Sequence, residues 1–200
     1  MNSATELARV LAIVDRARVL GVRRLDNGAE LVGHVPHVAP EAWFHLLFPP
    51  LEEGEITELE RNLGMSLDRV FHDFLSQHNG ISLFSDSLAV YGVRKMLGRR
   101  GDALWGQPYD ILTPNREERP RNARREHLIV GSYEDDGSLV VIDTRDSSTF
   151  RSDRDSITRF NAWKDFYAFL GAEAARLSHL FDRSGKKIRE GLPTTPPVES

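Results

Sequence analysis

The chain has 200 residues and a formal net charge of −4, and 40% of its residues are hydrophobic, which is enough to bury a core in one domain. It contains no cysteine, which excludes disulfides, thiolate zinc sites and a cysteine nucleophile and favours a reducing compartment. The charge is uneven, because residues 94–125 carry nine Lys/Arg against four Asp/Glu. A basic segment on an acidic body suggests steering of a charged partner.

Polar residues interrupt the first apolar run early. Glu6, Arg9 and Asp15 lie where a signal peptide would be continuously apolar, so we expect no such peptide. No other window approaches the ~18 consecutive apolar residues that a membrane-spanning helix needs. We therefore expect a cytoplasmic protein.

The first 40 residues are predicted to form a helix and a hairpin. Apolar residues recur at helical spacing over residues 7–17. Residues 22–25 and 29–35 then flank Asp-Asn-Gly at 26–28, a sequence suited to a tight hairpin turn. We interpret residues 1–40 as an extension that precedes the main domain.

A short apolar segment and an amphipathic helix follow. Residues 43–48 lie among prolines, and we expect one or two helical turns there. Beyond them, Ile56, Leu59 and Leu63 share one face of a predicted helix. Gly64 is placed to end that helix, because glycine adopts the left-handed conformation of a helix C-terminus at little cost.

A second helix is predicted directly after the first. Ser66 is a suitable residue to cap its N-terminus. Its apolar face comprises Val70, Phe71, Phe74 and Leu75. Asn79 and Gly80 follow, and these are the two residue types best able to adopt a left-handed conformation, so the chain should turn sharply there.

The next part of the chain is predicted to be rich in strands. Residues 88–93 are a plausible strand, whereas 96–126 are irregular and rich in Pro, Gly and Arg, so we expect a functional or disordered loop. Two β-rich runs, 127–133 and 138–143, are joined by Glu-Asp-Asp-Gly at 134–137, a hairpin signal.

The C-terminal part adds short strands, a helix and a tail. We expect strands at 149–151 and 157–160, and Asn161 as the cap of a last helix. The apolar face of that helix would comprise Trp163, Phe166, Leu170, Ala174, Leu177 and Phe181. Residues 183–200 are rich in Lys, Pro, Thr and Gly and are predicted to form a flexible, solvated tail.

Strands and helices do not alternate regularly along the chain, which disfavours a doubly wound parallel sheet. We predict an α+β fold in which a mostly antiparallel sheet is covered on one side by helices. The main domain would span residues 41–182, between the extension and the tail.

No motif indicates catalysis or a cofactor. The phosphate-binding patterns G-x-x-x-x-G-K-[ST] and G-x-G-x-x-G and the nucleophile pattern G-x-S-x-G do not occur. His34 and His37 are the best candidates for metal ligands, but three-residue spacing on an extended segment does not aim both rings at one ion. We predict a protein that is not an enzyme and has no cofactor.

Two charged segments are candidates for partner binding. Glu134, Asp135 and Asp136 lie at a predicted hairpin tip, and the turn accounts for Asp136 and its following glycine but not for the two acids before it. The arginines are Arg116, Arg119, Arg121, Arg124 and Arg125. They could contact nucleic-acid phosphates, but no aromatic residues that would stack bases are interleaved with them.

The spacing of the helix pair resembles the signature of the SUKH superfamily, which includes cell-wall-assembly regulators of the Smi/Knr type and bacterial immunity proteins. The residues that carry the resemblance are Ile56, Leu59, Glu60, Gly64, Leu67, Phe71, Phe74, Leu75, Asn79 and Gly80. Later residues match as well, namely Leu128, Ile129, Val130, Gly131, Val140, Val141, Ile142, Asp143, Trp163, Phe166, Phe169 and Leu170. Members commonly have Leu-Pro at the start of the second helix, whereas Asp68 follows Leu67 here.

The resemblance implies an α+β scaffold that binds a protein partner. In bacteria the commonest implied role is immunity, in which the protein binds a cognate toxin, often a nuclease, and neutralises it. We predict Glu134, Asp135 and Asp136 as contacts for such a partner. A regulatory or scaffolding role with another protein partner, or nucleic-acid binding through arginines 116–125, are the alternatives.

Overall fold

A computed structural model describes residues 3–95, 98 and 101–198. Its strands form one antiparallel sheet in which each strand pairs with its neighbours in the sequence, from β1 to β9. The strands are β1 (Val22–Arg24), β2 (Glu30–His34), β3 (Trp43–Leu47), β4 (Ile81–Leu83), β5 (Leu88–Val90), β6 (His127–Tyr133), β7 (Leu139–Asp143), β8 (Ser148–Ser152) and β9 (Arg159–Trp163). The described α-helices are α1 (Ser3–Asp15), α2 (Glu53–Leu63), α3 (Arg69–Leu75), α4 (Asp102–Trp105), α5 (Leu112–Arg116) and α6 (Phe166–Ser178), and a 3-10 helix (Arg16–Leu20) follows α1. The predicted α+β class is confirmed.

The main core lies between the longer helices and one face of the sheet. Helix α1 packs along α6, and both contribute buried residues to the same apolar cluster as α2 and α3. Phe71 and Phe74 of α3 meet the ring of Phe166 in α6 at centroid distances of 5.1 and 4.9 Å. These aromatic contacts fix α3 against α6 above the sheet.

The opposite face of the sheet carries two smaller apolar clusters. One comprises Leu25, Ala29, Leu31, Leu46 and Phe48, and Trp105 of α4 packs against it. The other comprises Ile129, Leu139, Val141 and Phe150. The first cluster therefore lies over β2 and β3, and the second lies over β6 to β8.

The helix pair forms as predicted, with one change of cap. Gly64 ends α2 in a left-handed conformation with φ of 68°. Asp68, and not Ser66, caps α3, because its carboxylate accepts hydrogen bonds from the backbone N–H groups of Val70 and Phe71. The residue that departs from the common Leu-Pro pattern of the superfamily thus has a structural role.

Asn79 and Gly80 lie directly before β4 and do not cap α3, which ends at Leu75. Gly80 has a left-handed φ of 82°, as predicted. The side chain of Asn79 donates to the carbonyl of Val93 at 2.8 Å and accepts from its N–H at 2.6 Å. This buried asparagine therefore ties the segment before β4 to the segment that follows β5.

Two further predictions of local structure are wrong. Residues 43–48 contain strand β3, and not helical turns, because this run pairs with β2 on one side and β4 on the other. The last helix is capped by Asp165 and not by Asn161, because the Asp165 carboxylate accepts from the N–H of Ala168. Asn161 and Trp163 belong to β9, and Phe181 lies beyond the end of the helix at Ser178. A short apolar run is compatible with the periodicity of a helix and with that of a strand, and here the pairing with neighbouring strands decides between the two.

The predicted loop at 96–126 is partly helical where it can be described. It contains α4 and α5, while residues 96, 97, 99 and 100 lie outside the described residues. None of the helices in the described ranges is long and apolar enough to cross a membrane.

The two ends of the chain pack against the rest of the fold. Strands β1 and β2 of the predicted extension continue the same sheet as β3. At the other end, Thr194 and Thr195 are buried, and Arg151 donates to the carbonyl of Pro196 at 2.7 Å. This packing differs from the solvated segment that the composition predicts. The division into residues 1–40, 41–182 and 183–200 stays a prediction.

Candidate protein-binding site

The sheet topology brings four turns to one end of the sheet. Because consecutive strands are antiparallel, this end carries the β2–β3 turn (35–42), the β4–β5 turn (84–87), the β6–β7 turn (134–138) and the β8–β9 turn (153–158). The predicted partner contacts in the β6–β7 turn therefore have the β4–β5 turn as a neighbour.

The β4–β5 turn has an uncommon backbone. Phe84, Ser85 and Asp86 have φ values of 56°, 51° and 66°, three successive left-handed residues without a glycine. This conformation costs roughly 1–2 kcal/mol per residue and persists only where the surroundings impose it. Here the N–H of Ser85 donates to the carbonyl of Phe44 at 2.8 Å, and the hydroxyl of Ser82 donates to the Asp86 carboxylate. The turn thus holds the Asp86 carboxylate in a fixed position.

Three carboxylates at this end of the sheet, those of Asp86, Glu134 and Asp135, form what we name the acidic rim. Burial raises the pKa of Asp86. Partial desolvation raises the pKa of Glu134, and the negative charges of Asp86 and Asp135 raise it further, against the opposing effect of Lys187. Within the part of the chain that the structure describes, no ion pair involves any of the three. The rim is a cluster of negative charge outside any described ion pair, with Lys186 and Lys187 lining the depression beside Glu134 and Asp135.

Asp136 was predicted together with Glu134 and Asp135, but its contacts differ. Its carboxylate pairs with the guanidinium of Arg151, whose side chain is only 5% exposed, and accepts from the N–H of Ser138 at 2.9 Å. Although burial opposes the effect, these hydrogen bonds lower the pKa of Asp136. Glu134 and Asp135 are exposed at the tip of the same turn. Asp136 is exposed as well, with 40% of its side chain accessible, so the turn contains three accessible acids, of which Asp136 also has a structural role.

An apolar groove lies beside the acidic rim, on the face of the sheet opposite the main helices. We name it the second-face groove, and it has a volume of about 190 Å³. Its lining includes Leu46, Phe48, Leu104, Trp105 and Tyr109 and two charged residues of opposite sign, Asp86 and Arg94. Leu104 and Tyr109 are 46% and 54% exposed, so the apolar lining is accessible from solvent. Asp86 belongs to both the groove and the rim.

The strand register explains why the groove exists. One cross-strand row on this face runs through Leu31, Leu46, Ser82, Ala89, Ser132 and Leu139. Its outer members are leucines of the two apolar clusters, whereas its three central members are small. Cross-strand neighbours share a face, so the small side chains leave a depression between the two clusters.

The N-terminal hairpin supports the segment that walls the groove. Arg23 of β1 pairs with Asp102 at 2.7 Å, and the side-chain amide of Asn27 donates to the carbonyl of Gly106 at 2.6 Å. These contacts flank Leu104 and Trp105. The groove is therefore built jointly by the hairpin and by the segment that follows β5.

Tyr109 lines the groove, and its hydroxyl lies within electrostatic range of two carboxylates of the acidic rim. Burial raises the pKa of its hydroxyl to about 12, and the nearby charges of Asp86 and Glu134 contribute to the rise. Its ring lies 6.3 Å from the ring of Tyr91. An exposed aromatic ring beside two carboxylates is a combination suited to a cationic side chain.

The arginines of 116–125 are partly engaged within the chain. Arg119 donates to the carbonyls of Arg124 and His127, and burial lowers its pKa. Arg124 lies 3.9 Å from the carboxylate of Glu126. Trp105 and Tyr109, the aromatic residues nearest to them in sequence, line the groove. This arrangement gives the arginine segment no stacking platform for bases.

The two histidines considered as metal ligands contact backbone carbonyls. His34 lies 2.9 Å from the oxygen of Pro40, and His37 lies 3.4 Å from that of Gly185. The ring of His34 also packs on Trp43 at a centroid distance of 5.3 Å. No group of three or more potential metal-ligating residues occurs within the described ranges.

A protein-family model described as the SMI1 / KNR4 family (SUKH-1) matches residues 50–176. The chain belongs to this family. Membership supports a general role as an immunity or regulatory module that acts through protein–protein interaction. No curated protein matches the chain significantly.

The signature residues of this SUKH-1 protein build the scaffold and leave the site to other residues. Among the predicted motif residues, Ile56, Leu59, Phe74, Leu75 and Phe166 are at most 2% exposed. The carboxylate of Glu60 accepts from the N–H of Leu67 at 2.8 Å, which joins the two helices. The ring of Trp163 packs on Phe169 at 5.0 Å.

Sequence reasoning missed Asp86 and Tyr109. Their local sequence shows no motif, and strand β4 was not predicted at all. One sequence feature bears on the groove, namely the small side chains at three separate positions, Ser82, Ala89 and Ser132. It becomes informative only when the register places all three in one row.

Proposed function

We propose that this SUKH-1 protein is a cytoplasmic immunity protein that binds a protein toxin with a basic surface, and that Glu134 and Asp135 are direct contacts. The observation that carries the proposal is the acidic rim, a set of carboxylates with no ion-pair partner in the described residues, at an accessible end of the sheet. Family membership supports the general mode of action.

Charge explains why a basic toxin suits this surface. Outside residues 94–125 the chain has a net charge of −9, so its body as a whole attracts a cationic partner. Complementary charge raises association rates and suppresses wrong partners more than it raises affinity. Nucleases carry basic surfaces because they bind phosphates, which makes them suitable partners.

The proposal is tested by capture followed by a toxicity assay. The chain is tagged and purified from its native host after crosslinking, and co-purified proteins are identified by mass spectrometry. Each candidate is then expressed alone and together with the chain in a neutral host. We expect one candidate that arrests growth alone and is neutralised by co-expression.

A matched pair of variants tests the contacts. Glu134→Lys with Asp135→Lys should slow association with that candidate by about tenfold or more at low salt. The control, Glu58→Lys with Asp73→Lys, makes the same change of net charge on exposed residues of α2 and α3. Equal association rates for the two double variants would overturn the assignment of the contacts. A bound partner without toxicity would overturn the immunity role in favour of a regulatory one.

A further inference from the structure

We propose that the chain binds a small organic carboxylate in a pocket between the C-terminal ends of α1 and α6. Arg16 and Arg183 hold the carboxylate, and the buried ring of His45 donates a hydrogen bond to an acceptor on the apolar body of the ligand. We name this the helix-end pocket, and it is bounded by the end of α1, the 3-10 helix, β3, the β4–β5 turn and the segment after α6. The inference goes beyond the proposed function and does not depend on it.

The helix-end pocket has the size and the apolar wall that suit a small organic molecule. Its volume of about 540 Å³ lies within the ~300–1,000 Å³ of pockets that enclose such ligands. In its wall, the ring of Phe44 packs on those of Phe84 and Phe181 at centroid distances of 5.2 and 5.3 Å. Ile13 and Leu20 add aliphatic surface. An apolar ligand body therefore gains free energy by leaving water here.

A buried histidine supplies the pocket with a directed donor. His45 lies opposite Val32 and Leu83 in the sheet, and both neighbours belong to the main core. It is only 1% exposed, and burial lowers its pKa to about 3, so the ring is neutral at pH 7. Its Nδ1 accepts from the backbone N–H of Phe84 at 3.4 Å. A neutral ring that accepts at Nδ1 carries its proton at Nε2.

The Nε2–H group of His45 has no acceptor within the described ranges. In the same ranges, the side-chain atoms that are wholly buried without a partner are the hydroxyl oxygens of Ser85 and Thr149, and Nε2 is not among them. The N–H is therefore accessible, and the cavity that His45 lines is the helix-end pocket. A donor left unpaired at a nearly buried position is unfavourable, so an acceptor on a ligand gains more here than at the open surface.

Two arginines give the pocket an excess of positive charge. Arg16 and Arg183 are exposed, and neither takes part in an ion pair or a side-chain hydrogen bond between described residues. The third charged residue of the lining, Asp182, accepts from the hydroxyl of Ser184 and from the N–H groups of Lys186 and Ser184, which lowers its pKa.

The charge balance of the lining favours a monoanion. Two arginines and one aspartate give a net charge of +1, because the ring of His45 is neutral. A guanidinium donates two parallel hydrogen bonds to one carboxylate, which makes arginine well suited to this head group. A single carboxylate therefore balances the lining, whereas a neutral head group leaves both arginines without a counter-ion.

The helix-end pocket is distinct from the surface proposed for the protein partner. Apart from Phe84, its lining residues lie outside residues 50–176, so it is built by the segments that flank the family match. The stacked rings of Phe84 and Phe181, 5.4 Å apart, also line the depression beside Glu134 and Asp135. This ring pair therefore forms a wall between the two sites.

Three matched ligands test the inference on the full chain labelled with ¹⁵N. The first is octanoate with a ketone at its penultimate carbon, called oxo-octanoate. The second, methyl-octanoate, has a methyl branch in place of the ketone oxygen, and the third, oxo-octanamide, has a neutral amide in place of the carboxylate. The ring nitrogen resonances of His45, assigned from the backbone of β3, report on the pocket.

We expect a saturable shift of the His45 Nε2 resonance with oxo-octanoate. Methyl-octanoate should bind about threefold more weakly, because it leaves the Nε2–H unpaired. Oxo-octanamide should bind about tenfold more weakly, because it loses the charge-assisted contacts with the arginines. Equal affinity for the acid and its amide, equal affinity for the ketone and the methyl branch, or no saturable shift of His45 would each overturn the inference.

A matched pair of variants locates the head group. Arg16→Gln with Arg183→Gln changes two exposed side chains and should lower affinity for oxo-octanoate by about tenfold. The control, Arg61→Gln with Arg69→Gln, makes the same change of net charge on exposed residues of α2 and α3 and should leave affinity unchanged. If the two double variants bind oxo-octanoate equally well, the arginines do not hold the carboxylate and the inference fails.

Discussion

Buried charged groups form ion pairs on the helix-covered face of the sheet, whereas the half-buried carboxylate of Asp86 in the second-face groove is outside any described ion pair. On the helix-covered face, Arg151 pairs with Asp136, and Glu173 accepts from both Tyr133 and Arg176. In the groove, Asp86 accepts from the hydroxyl of Ser82 and, although Arg94 lines the same groove, no ion pair between described residues involves Asp86. Unpaired buried charges are costly, so the half-buried carboxylate of Asp86, outside any described ion pair, is the less favourable of the two arrangements.

The largest expected contrast between the two regions is in packing. Phe74→Ala removes a fully buried ring that contacts Phe71 and Phe166, and we expect it to lower the free energy of unfolding by about 3–5 kcal/mol. Leu104→Ala removes an exposed apolar side chain of the groove and should change the free energy of unfolding by less than about 0.5 kcal/mol. Urea denaturation of both variants checks this. A comparable loss in Leu104→Ala would show that the groove is part of the core.

A smaller effect separates the acids of one turn. Asp136→Ala leaves the buried Arg151 without its carboxylate partner and should lower the free energy of unfolding by about 1–3 kcal/mol at pH 7. Asp135→Ala should be within about 0.5 kcal/mol of the unchanged protein. Because the pKa of Asp136 is lowered in the folded state, its contribution is present above the ordinary value of 3.8 and is lost as the pH falls through the folded pKa.

Urea denaturation at pH 7 and near pH 3 tests both statements. The difference between Asp136→Ala and the unchanged protein should shrink at the lower pH. If the difference in unfolding free energy is the same at both pH values, the ionised form of the Asp136 carboxylate does not contribute to stability.

The smallest expected effect has the opposite sign. The pKa of Asp86 is raised in the folded state, so ionisation of its carboxyl destabilises the fold above the ordinary value of 3.8. Asp86→Asn keeps the shape and tolerates the left-handed backbone, and it should therefore raise the melting temperature slightly at pH 7. The gain should decrease as the pH falls towards 3.8. Thermal unfolding across this range checks the sign, and a loss of stability at pH 7 would assign Asp86 a structural role.

Much of the scaffold could be predicted from local sequence. The spacing of Ile56 and Leu59, and then of Phe71 and Phe74, defined the helix pair, and Gly64 marked the boundary between the helices. Strand β3 could not be predicted in the same way. Five apolar or aromatic residues between prolines fit a helix or a strand, and the choice depends on pairing with β2 and with the unpredicted β4.

The site was predictable only in part for a similar reason. Glu134 and Asp135 could be noticed because the turn itself does not need them. Asp86 became a candidate only through its neighbours in space, namely Tyr109 and the small residues at Ser82 and Ala89. The functions of these residues depend on strand register, which a local sequence window does not contain.

The sequential strand order has a consequence for how this protein can change over evolution. Because β1 lies at the edge of the sheet, strands can be added beside it or replaced there without changing the order of the other strands. The first hairpin lies outside the family match, yet it contacts Asp102 and Gly106 beside the groove. Replacing one peripheral hairpin could therefore reshape a recognition surface while the helices and their core remain the same.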